Sequence, residues 1–420
     1  MKRNKAFLIA LCCSAVVALV LTRVYSVILP YDATSYIQAW SSLGQGRPDM
    51  LRTPVYPLIL HLMQTLFESR FLSATVILQY LVFFASIWFF QRLADFFCSP
   101  KASFWVILFY AACPAICILN NLILTESFAI SGCVILLYLA QCLIQSPTWG
   151  KTALFTLQCL FLLFLRPAFV YILPVFGVFS LILFLQHKKR TAVCCLTGIL
   201  VSSLCLAGYM GAFKKEYGVF APSSVGTVNQ YSMARISGYL NPADSPDPLL
   251  RKDLEDCLKA HGSKVDVVNT ATLEGLDLCE RHRLADIQST VAAGRRRVPS
   301  TVTKALFRRV FESSMEPTFV FSVWTPFLNR LSRAFGPPLA ILYLFLLVYS
   351  ILFCIRIFQT RTIPPYGALL LMVELSSIIV AVVGAQSDWG RLLAPTTPIW
   401  LLLAGHVGRL FQQKGVSVRE

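Results

Sequence analysis

The sequence predicts an all-α, polytopic membrane protein with about ten transmembrane helices, on three observations. Charged residues make up only 14% of the 420 residues, and hydrophobic ones 56%. A soluble domain carries roughly 25% charged residues. Apolar runs recur along most of the chain, and lysines and arginines collect at alternate ends of these runs.

The predicted spans are apolar runs that approach the roughly 20 residues needed to cross a bilayer. The run at 152–165 is short, and Arg166-Pro167 separates it from the next run. Because this charged, helix-breaking pair would be costly at mid-bilayer, we interpret it as a turn between two spans. The runs begin near Phe7, Phe71, Ser103, Leu124, Thr152, Ala168, Thr191, Pro338, Pro365 and Leu392.

The first run also has features of a secretory signal, because a basic start precedes it. No firm small-residue cleavage site follows, since the apolar run continues through Val27-Ile28-Leu29. We therefore favour an uncleaved first span. Sequencing the N-terminus of the mature protein distinguishes the two.

The distribution of basic residues predicts that both termini lie in the cytoplasm. With that orientation, 14 basic residues fall in cytoplasmic segments, against five in short outer segments and Arg23 close to the outer edge. This bias fits the positive-inside rule. The 17 remaining basic residues lie in one long outer segment, which the rule exempts. The 14 are Lys2, Arg3, Lys5, Arg92, Lys101, Lys151, Lys188, Lys189, Arg190, Arg356, Arg361, Arg409, Lys414 and Arg419, and the five are Arg47, Arg52, Arg70, Arg166 and Arg391.

This topology divides the chain into an N-terminal transmembrane module (1–212), an outer lobe (213–336) and a C-terminal transmembrane module (337–420). The lobe combines a turn rich in Pro and Asp with predicted helices at 249–260 and 302–313. Its size allows a small hydrophobic core of its own.

The lobe contains two cysteines, Cys257 and Cys279. They could pair as a disulfide if the outer compartment is oxidising, or stay free. Labelling of free thiols with and without reductant decides between these states.

The first outer loop, residues 30–70, is predicted to hold two short interfacial helices. In the first, at 32–43, Tyr36, Trp40 and Leu43 recur with helical spacing. Tyr and Trp favour the headgroup level of a bilayer, so this helix should lie in the interface plane. The second is predicted at 58–67, after Pro57. The segment before it, with its two prolines, is expected to be rigid and non-helical.

Acidic and arginine side chains gather at one predicted depth, the outer membrane face. For Asp32 the alternatives are an N-cap of the first interfacial helix or a functional carboxylate. A carboxylate inside an apolar run, such as Glu126, is costly unless paired or functional. The set comprises Asp32, Arg52, Glu126, Arg166, Asp388 and Arg391.

Two chemical interpretations of this set remain open. Arginine forks match phosphate oxygens, and a nearby carboxylate could deprotonate a hydroxyl, which together suit a lipid-phosphate headgroup. Structural ion pairs between loops are the alternative. Glu374, near the middle of a predicted span, is expected either to bond to a neighbouring helix or to be protonated.

Other ligand classes find little support in the sequence. The net charge of +16 is better explained by basic membrane ends than by nucleic acid, since no basic helix or aromatic-basic strand set accompanies it. No CxxC pair or Cys/His cluster has zinc spacing.

The pattern of these residues along the chain resembles that of the GT-C membrane glycosyltransferases. Within that family, it is similar to the branch that includes the lipid A aminoarabinose transferase and the protein O-mannosyltransferases. The resemblance covers about the first 190 and last 60 residues but not the outer lobe. Five motifs carry it: Tyr31-Asp32 through Tyr36, the proline-rich stretch 46–60 around Arg52 and Tyr56, Thr125-Glu126-Ser127, Arg166-Pro167, and Gly390-Arg391-Leu392-Leu393-Ala394-Pro395 with Pro398.

The resemblance implies an inverting transfer of a sugar from a polyprenyl-phosphate donor to a lipid, glycan or protein acceptor at the outer face of a bacterial inner membrane. Asp32 would be the base or orient the acceptor, and Glu126 would orient the sugar or an arginine. Arg52 and Arg166 or Arg391 would hold the phosphate. Tyr36, Tyr56 and Asp388 would complete the substrate site.

The chain departs from the family at one position. Many members carry Asp-Glu where this chain has Asp32-Ala33. The missing acid weakens the case for a divalent cation there, and no other cofactor is implied. The alternative functions are a transporter or flippase of lipid-linked sugars, for which repeated halves or broken helices would be expected, and a non-catalytic scaffold presenting the lobe.

Overall fold

The structure, a computed structural model, describes residues 3–262, 268–321, 325–385 and 389–412. Within these ranges regular secondary structure is helical, apart from two isolated β-bridges, Ile28 with Leu122 and Pro317 with Pro338. The fold is therefore all-α over the described residues, as predicted.

Twenty-one α-helices follow one another along the described chain. They are α1 (Arg3–Val24), α2 (Ala33–Gln38), α3 (Trp40–Leu43), α4 (Val55–Phe67), α5 (Phe71–Phe97), α6 (Pro100–Ala112), α7 (Pro114–Cys117), α8 (Glu126–Gln145), α9 (Trp149–Leu165), α10 (Ile172–Leu185), α11 (Lys189–Tyr217), α12 (Val225–Ser237), α13 (Pro248–His261), α14 (Val268–Arg281), α15 (Leu284–Arg297), α16 (Pro299–Met315), α17 (Pro326–Phe335), α18 (Leu339–Thr360), α19 (Pro365–Gly384), α20 (Trp389–Leu393) and α21 (Thr397–Gln412). Short 3-10 segments occur at Glu68–Arg70, Ile118–Asn121, Pro167–Tyr171, Pro242–Asp244 and Ala394–Thr396.

Seven helical segments of the described chain are long and apolar enough to cross a membrane, or eight if the pair α6–α7, bent by 45°, counts as one. This is the pattern of an integral multi-pass membrane protein. The expected number of about ten is not reached by this measure, because α9 has only 17 residues and α21 only 16. The seven are Asn4–Val24, Val55–Phe97, Glu126–Gln145, Pro167–Leu185, Lys189–Tyr217, Leu339–Thr360 and Pro365–Gly384.

The first outer loop differs in detail from the prediction. The predicted helix 32–43 is divided at Ala39 into α2 and α3. The second helix, α4, begins at Val55 rather than at residue 58. Pro57 therefore lies within its first turn, where the missing N–H of proline has no helical partner to lose. The non-helical approach ends at Pro54, the N-cap of α4.

The outer lobe has a hydrophobic core separate from that of the membrane bundle. Leu250 and Leu254 of α13 pack there with Leu278, Leu284 and Ile287. The predicted helices 249–260 and 302–313 correspond to α13 and α16, whereas α12, α14 and α15 were not anticipated. Helix α11 continues to Tyr217, so the expected boundary at 212 falls inside a helix.

The polar centre of the lobe is a buried ion pair. Arg235 of α12 donates to both carboxylate oxygens of Glu274 of α14, at 2.7 and 3.1 Å. The hydroxyl of Tyr231 donates to the same carboxylate at 3.1 Å. Burial raises the pKa of Glu274, but the bonds from Arg235 outweigh it, and the net pKa is lowered. These contacts join two lobe helices.

The two cysteines of the lobe, Cys257 and Cys279, are free thiols in the structure and do not form a disulfide.

Candidate functional site

The loop after α1 holds Asp32 in place. Ile28 accepts a backbone hydrogen bond from Ile123 at 3.0 Å and donates one to Asn121 at 2.8 Å. Asp32 occupies the N-cap position of α2, yet its side chain makes no capping hydrogen bond. The N-cap interpretation therefore does not account for this carboxylate.

The Asp32 carboxylate instead lies between two arginines that are far apart in sequence. Arg52 Nη2 lies 3.1 Å from Oδ1, and Arg391 Nη1 lies 3.0 Å from Oδ2. Each oxygen thus has its own guanidinium partner. This pairing joins the first outer loop to the turn after α19.

Arg52 is oriented from several sides. The Asp49 carboxylate accepts hydrogen bonds from the backbone N–H groups of Leu51 and Arg52, at 2.9 and 2.8 Å, which fixes the turn. Arg52 Nε donates to Ser35 Oγ at 2.8 Å. Its guanidinium also lies over the ring of Tyr36, 4.1 Å from the centroid. Such preorganisation suits a cation that must hold an anion in one geometry.

Ring packing and a chain of hydrogen bonds support Tyr36. Its ring packs edge-on against Tyr56 at 5.1 Å between centroids. The fully buried Tyr56 donates through its hydroxyl to Gln79 Oε1 at 3.1 Å. Gln79 Nε2 then donates to the carbonyls of Asn120 and Leu122, at 2.7 and 3.0 Å. Tyr56, expected among the substrate-binding residues, thus lies behind Tyr36 as a support.

Glu126 forms the floor of the site. It begins α8, and its side chain is only 2% exposed, against 32% for Asp32 at the mouth. Its Oε1 lies 3.5 Å from Arg166 Nη2 and 3.7 Å from Arg391 Nε. Arg391 therefore spans the two acids, because one guanidinium faces Asp32 at the mouth and Glu126 at the floor.

Arg166 reaches the site from the end of α9, where its backbone is extended and Pro167 stops the helix. This is the turn that the sequence predicts. Hydrogen-bonding capacity remains here: among the described residues, neither Glu126 Oε2 nor Arg166 Nη1 has a hydrogen-bond partner, although both are buried. A bound ligand or water could satisfy both.

Arg391 lies on the short helix α20, which is fixed on two sides. Gly390 packs so closely that a Cβ there would lie 2.2 Å from the carbonyl oxygen of Pro317. On the other side, the Thr396 hydroxyl bonds to Leu393 O at 2.9 Å and lies 3.2 Å from Glu374 Oε1. Buried Glu374 therefore lies within hydrogen-bond distance of a neighbouring element. The remaining predicted residue, Asp388, lies outside the described residues.

Asp32 remains a carboxylate at neutral pH. Burial raises its pKa, but Arg391 and Arg52 outweigh that effect, and the net pKa is below the ordinary value. For Arg52, burial lowers the pKa, but Tyr36 and Asp32 raise it by more, so the net pKa is above the ordinary value. The two groups thus hold each other charged, which makes Asp32 a hydrogen-bond acceptor with weak basicity.

No metal-ligand group of three or more His, Cys, Asp or Glu side chains occurs in the described part of the chain. Ala33, the residue that follows Asp32, is buried. The two acids of the site face arginines instead.

No family model matches the chain, and no curated protein matches it at a significant level.

The close packing of Gly390 gives a stability prediction. Gly390→Ala must displace the Pro317–Thr318 backbone, since its Cβ would also lie 3.0 Å from the carbonyl oxygen of Thr318. We expect a loss of about 1–3 kcal/mol in the free energy of unfolding, as for other overpacking substitutions. Gly384→Ala is the matched control, because a Cβ there meets nothing within 4 Å. Thermal unfolding of both variants in detergent measures the difference, and equal midpoints would contradict the assigned packing.

Proposed function

We propose that this protein is an integral membrane glycosyltransferase. It transfers a sugar, with inversion, from a polyprenyl-phosphate donor to an acceptor at the outer membrane face. The observation that carries the proposal is the meeting of Arg52, Arg166 and Arg391 around Asp32 and Glu126 at one end of an apolar helix bundle. A lipid-linked phosphate lies at that depth when its chain is in the bilayer.

The three arginines are suited to hold the donor phosphate. Guanidinium groups pair with phosphate oxygens through two parallel hydrogen bonds. The unpartnered Nη1 of Arg166 offers such a bond directly. Among the described residues, the cluster contains three guanidinium groups and two carboxyl groups, which gives it a formal excess of one positive charge when both acids are counted as charged. This excess favours a phosphodiester and stabilises the negative charge that develops on the leaving phosphate.

Asp32 is suited to receive the acceptor proton. In the proposed reaction the acceptor oxygen bonds to the anomeric carbon on the side opposite the phosphate. The bond between that carbon and the phosphate oxygen breaks, and polyprenyl phosphate leaves with the electron pair. The acceptor hydroxyl becomes acidic as it bonds to carbon, so even a weakly basic carboxylate can take its proton. Glu126 at the floor orients the arginines and the sugar.

The proposed orientation places the site outside the cell. The site lies where α1 and α9 end and α8 begins, and this is the end that the positive-inside rule puts outside. The short apolar helices α9 and α21 are then spans as well, which brings the total to ten. The resemblance to the GT-C family, and not this orientation, is the reason for placing the protein in a bacterial inner membrane.

The outer lobe is positioned to select the acceptor. The hydroxyl of Tyr217 donates to the carbonyl of Pro48 at 3.0 Å, and the Ser224 N–H donates to the carbonyl of Met50 at 2.8 Å. These bonds tie the base of the lobe to the loop that carries Arg52. Lobe and site therefore form neighbouring surfaces on which a lipid, glycan or protein acceptor could be bound.

A donor-cleavage assay tests the function. The purified protein in vesicles is incubated with a polyprenyl-phosphate donor labelled in the sugar, with lipid, glycan and protein acceptors. We expect labelled acceptor and free polyprenyl phosphate in equal amounts. A transporter or flippase would move the intact donor between leaflets without cleaving it, and that result would overturn the proposal.

A further inference from the structure

We propose that the opposite end of the helix bundle holds a second, separate site that binds the phosphate headgroup of an anionic phospholipid. The site is the cavity between the turn joining α8 to α9 and the turn joining α10 to α11. It does not depend on the proposed function.

The cavity measures about 350 Å³. Its lining combines a tryptophan that is 65% exposed with two exposed cations from the first turn of α11. Tryptophan at this level is typical of a side chain at the headgroup layer. The lining residues are Thr148, Trp149, Lys189, Arg190, Val193 and Cys194.

The cations at the cavity have no carboxylate partner among the residues that the structure describes. Within the described ranges, no carboxylate forms an ion pair with Lys188, Lys189 or Arg190, and Lys189 Nζ lies 5.9 Å from the ring centre of Phe184. Nearby Lys151 differs, because its ammonium group donates to the carbonyls of Cys142 and Ser146. Three adjacent cations beside a cavity, with no carboxylate paired to them in the described part of the chain, are suited to an anion.

The shape of the surface favours a lipid over free phosphate. One turn below the cations, the lining becomes apolar at Val193 and Cys194. From Val193 an exposed apolar stripe continues along α11 through Leu196, Leu200 and Leu204. A ligand with a phosphate at one end and an acyl chain at the other matches this gradient, because its chain would lie along the stripe.

The proposed lipid site is distinct from the candidate active site. Trp149 and Arg166 lie at opposite ends of α9, whose 17 residues span roughly 25 Å. Under the positive-inside assignment, this site faces the cytoplasmic leaflet. Its ligand would therefore be a membrane phospholipid and not the sugar donor.

Native mass spectrometry of the detergent-solubilised protein tests this inference. The full chain is titrated with phosphatidylglycerol and with phosphatidylcholine. We expect selective retention of phosphatidylglycerol, and a roughly tenfold or larger loss of that affinity in Lys189→Gln/Arg190→Gln. Lys5→Gln/Lys101→Gln is the control, because it removes the same charge from the same end without touching the cavity.

Two further experiments distinguish a lipid headgroup from free inorganic phosphate as the ligand. Val193→Trp keeps both cations but obstructs the apolar part of the site, and we expect it to weaken phosphatidylglycerol binding. Millimolar inorganic phosphate should not displace the lipid. Equal binding of the two lipids, equal losses in the two double variants, or displacement by inorganic phosphate would each overturn the proposal. Thermal midpoints matching the unsubstituted protein confirm that each variant is folded.

Discussion

Asp32→Asn is expected to reduce sugar transfer by roughly a hundredfold to ten-thousandfold, the usual contribution of a positioned general base. The asparagine amide keeps the size of the side chain but cannot take the acceptor proton. It also removes the negative charge that holds Arg52 and Arg391 in place. The initial rate of transfer from a labelled donor measures the effect.

The control for Asp32→Asn is Glu68→Gln, which removes an exposed carboxylate of the same outer loop. Its transfer rate should equal that of the unsubstituted protein. Thermal unfolding of the Asn variant separates a chemical defect from a folding defect, because Asp32 lies at the partly exposed mouth of the site. A fully active Asp32→Asn protein would remove Asp32 from the mechanism.

Arg391→Lys is expected to lower kcat by roughly a hundredfold to a thousandfold, as does loss of one donor that stabilises developing charge. Arginine reaches Asp32 through Nη1 and Glu126 through Nε. A lysine has one ammonium group on a flexible stem and cannot span both acids while holding a phosphate in a fork. Steady-state kinetics with varied donor concentration separates kcat from KM.

The control for Arg391→Lys is Arg70→Lys, an exposed arginine of the first outer loop outside the cluster. This change should leave kcat and KM unaltered. Arg391→Lys keeps the positive charge, so a loss of activity would be caused by the lost two-point hydrogen bonding of the guanidinium group and not by a change in net charge. If the lysine variant turns over at the normal rate, the bridging role assigned to Arg391 is wrong.

The sequence predicts that the site residues share one depth in the membrane. Asp32, Arg52, Glu126, Arg166 and Arg391 were placed at one membrane face because spans alternate in direction and charges end them. The structure brings these five together within salt-bridge distance. The depth of a residue in the membrane can be deduced from the sequence alone, because it depends only on where each apolar run ends.

Which residues pair with each other could not be deduced in the same way. The contact between Asp32 and Arg391, 359 positions apart, depends on how the helices are arranged around the bundle. Hydropathy says nothing about that arrangement. Gln79 was missed for a related reason: its signal is one amide within an apolar run, and its bonds to Asn120 and Leu122 carbonyls appear only in three dimensions.

The start of α4 and the lobe helices α12, α14 and α15 also could not be deduced from the hydropathy pattern. Pro57 suggests a helix beginning after it, but a proline in the first turn costs little, so Val55 can begin the helix. The lobe helices α14 and α15 bury one face against a small local core and expose the other. Their apolar stripes are short, so they stand out less than the membrane spans.

The position of a bound donor decides whether the three arginines hold the donor phosphate. A structure of the protein with a non-hydrolysable polyprenyl-phosphate sugar should place phosphate oxygens within hydrogen-bond distance of at least two of Arg52, Arg166 and Arg391. The anomeric carbon should face Asp32. A phosphate bound only near Lys189 and Arg190, with the three arginines still paired to Asp32 and Glu126, would contradict the account.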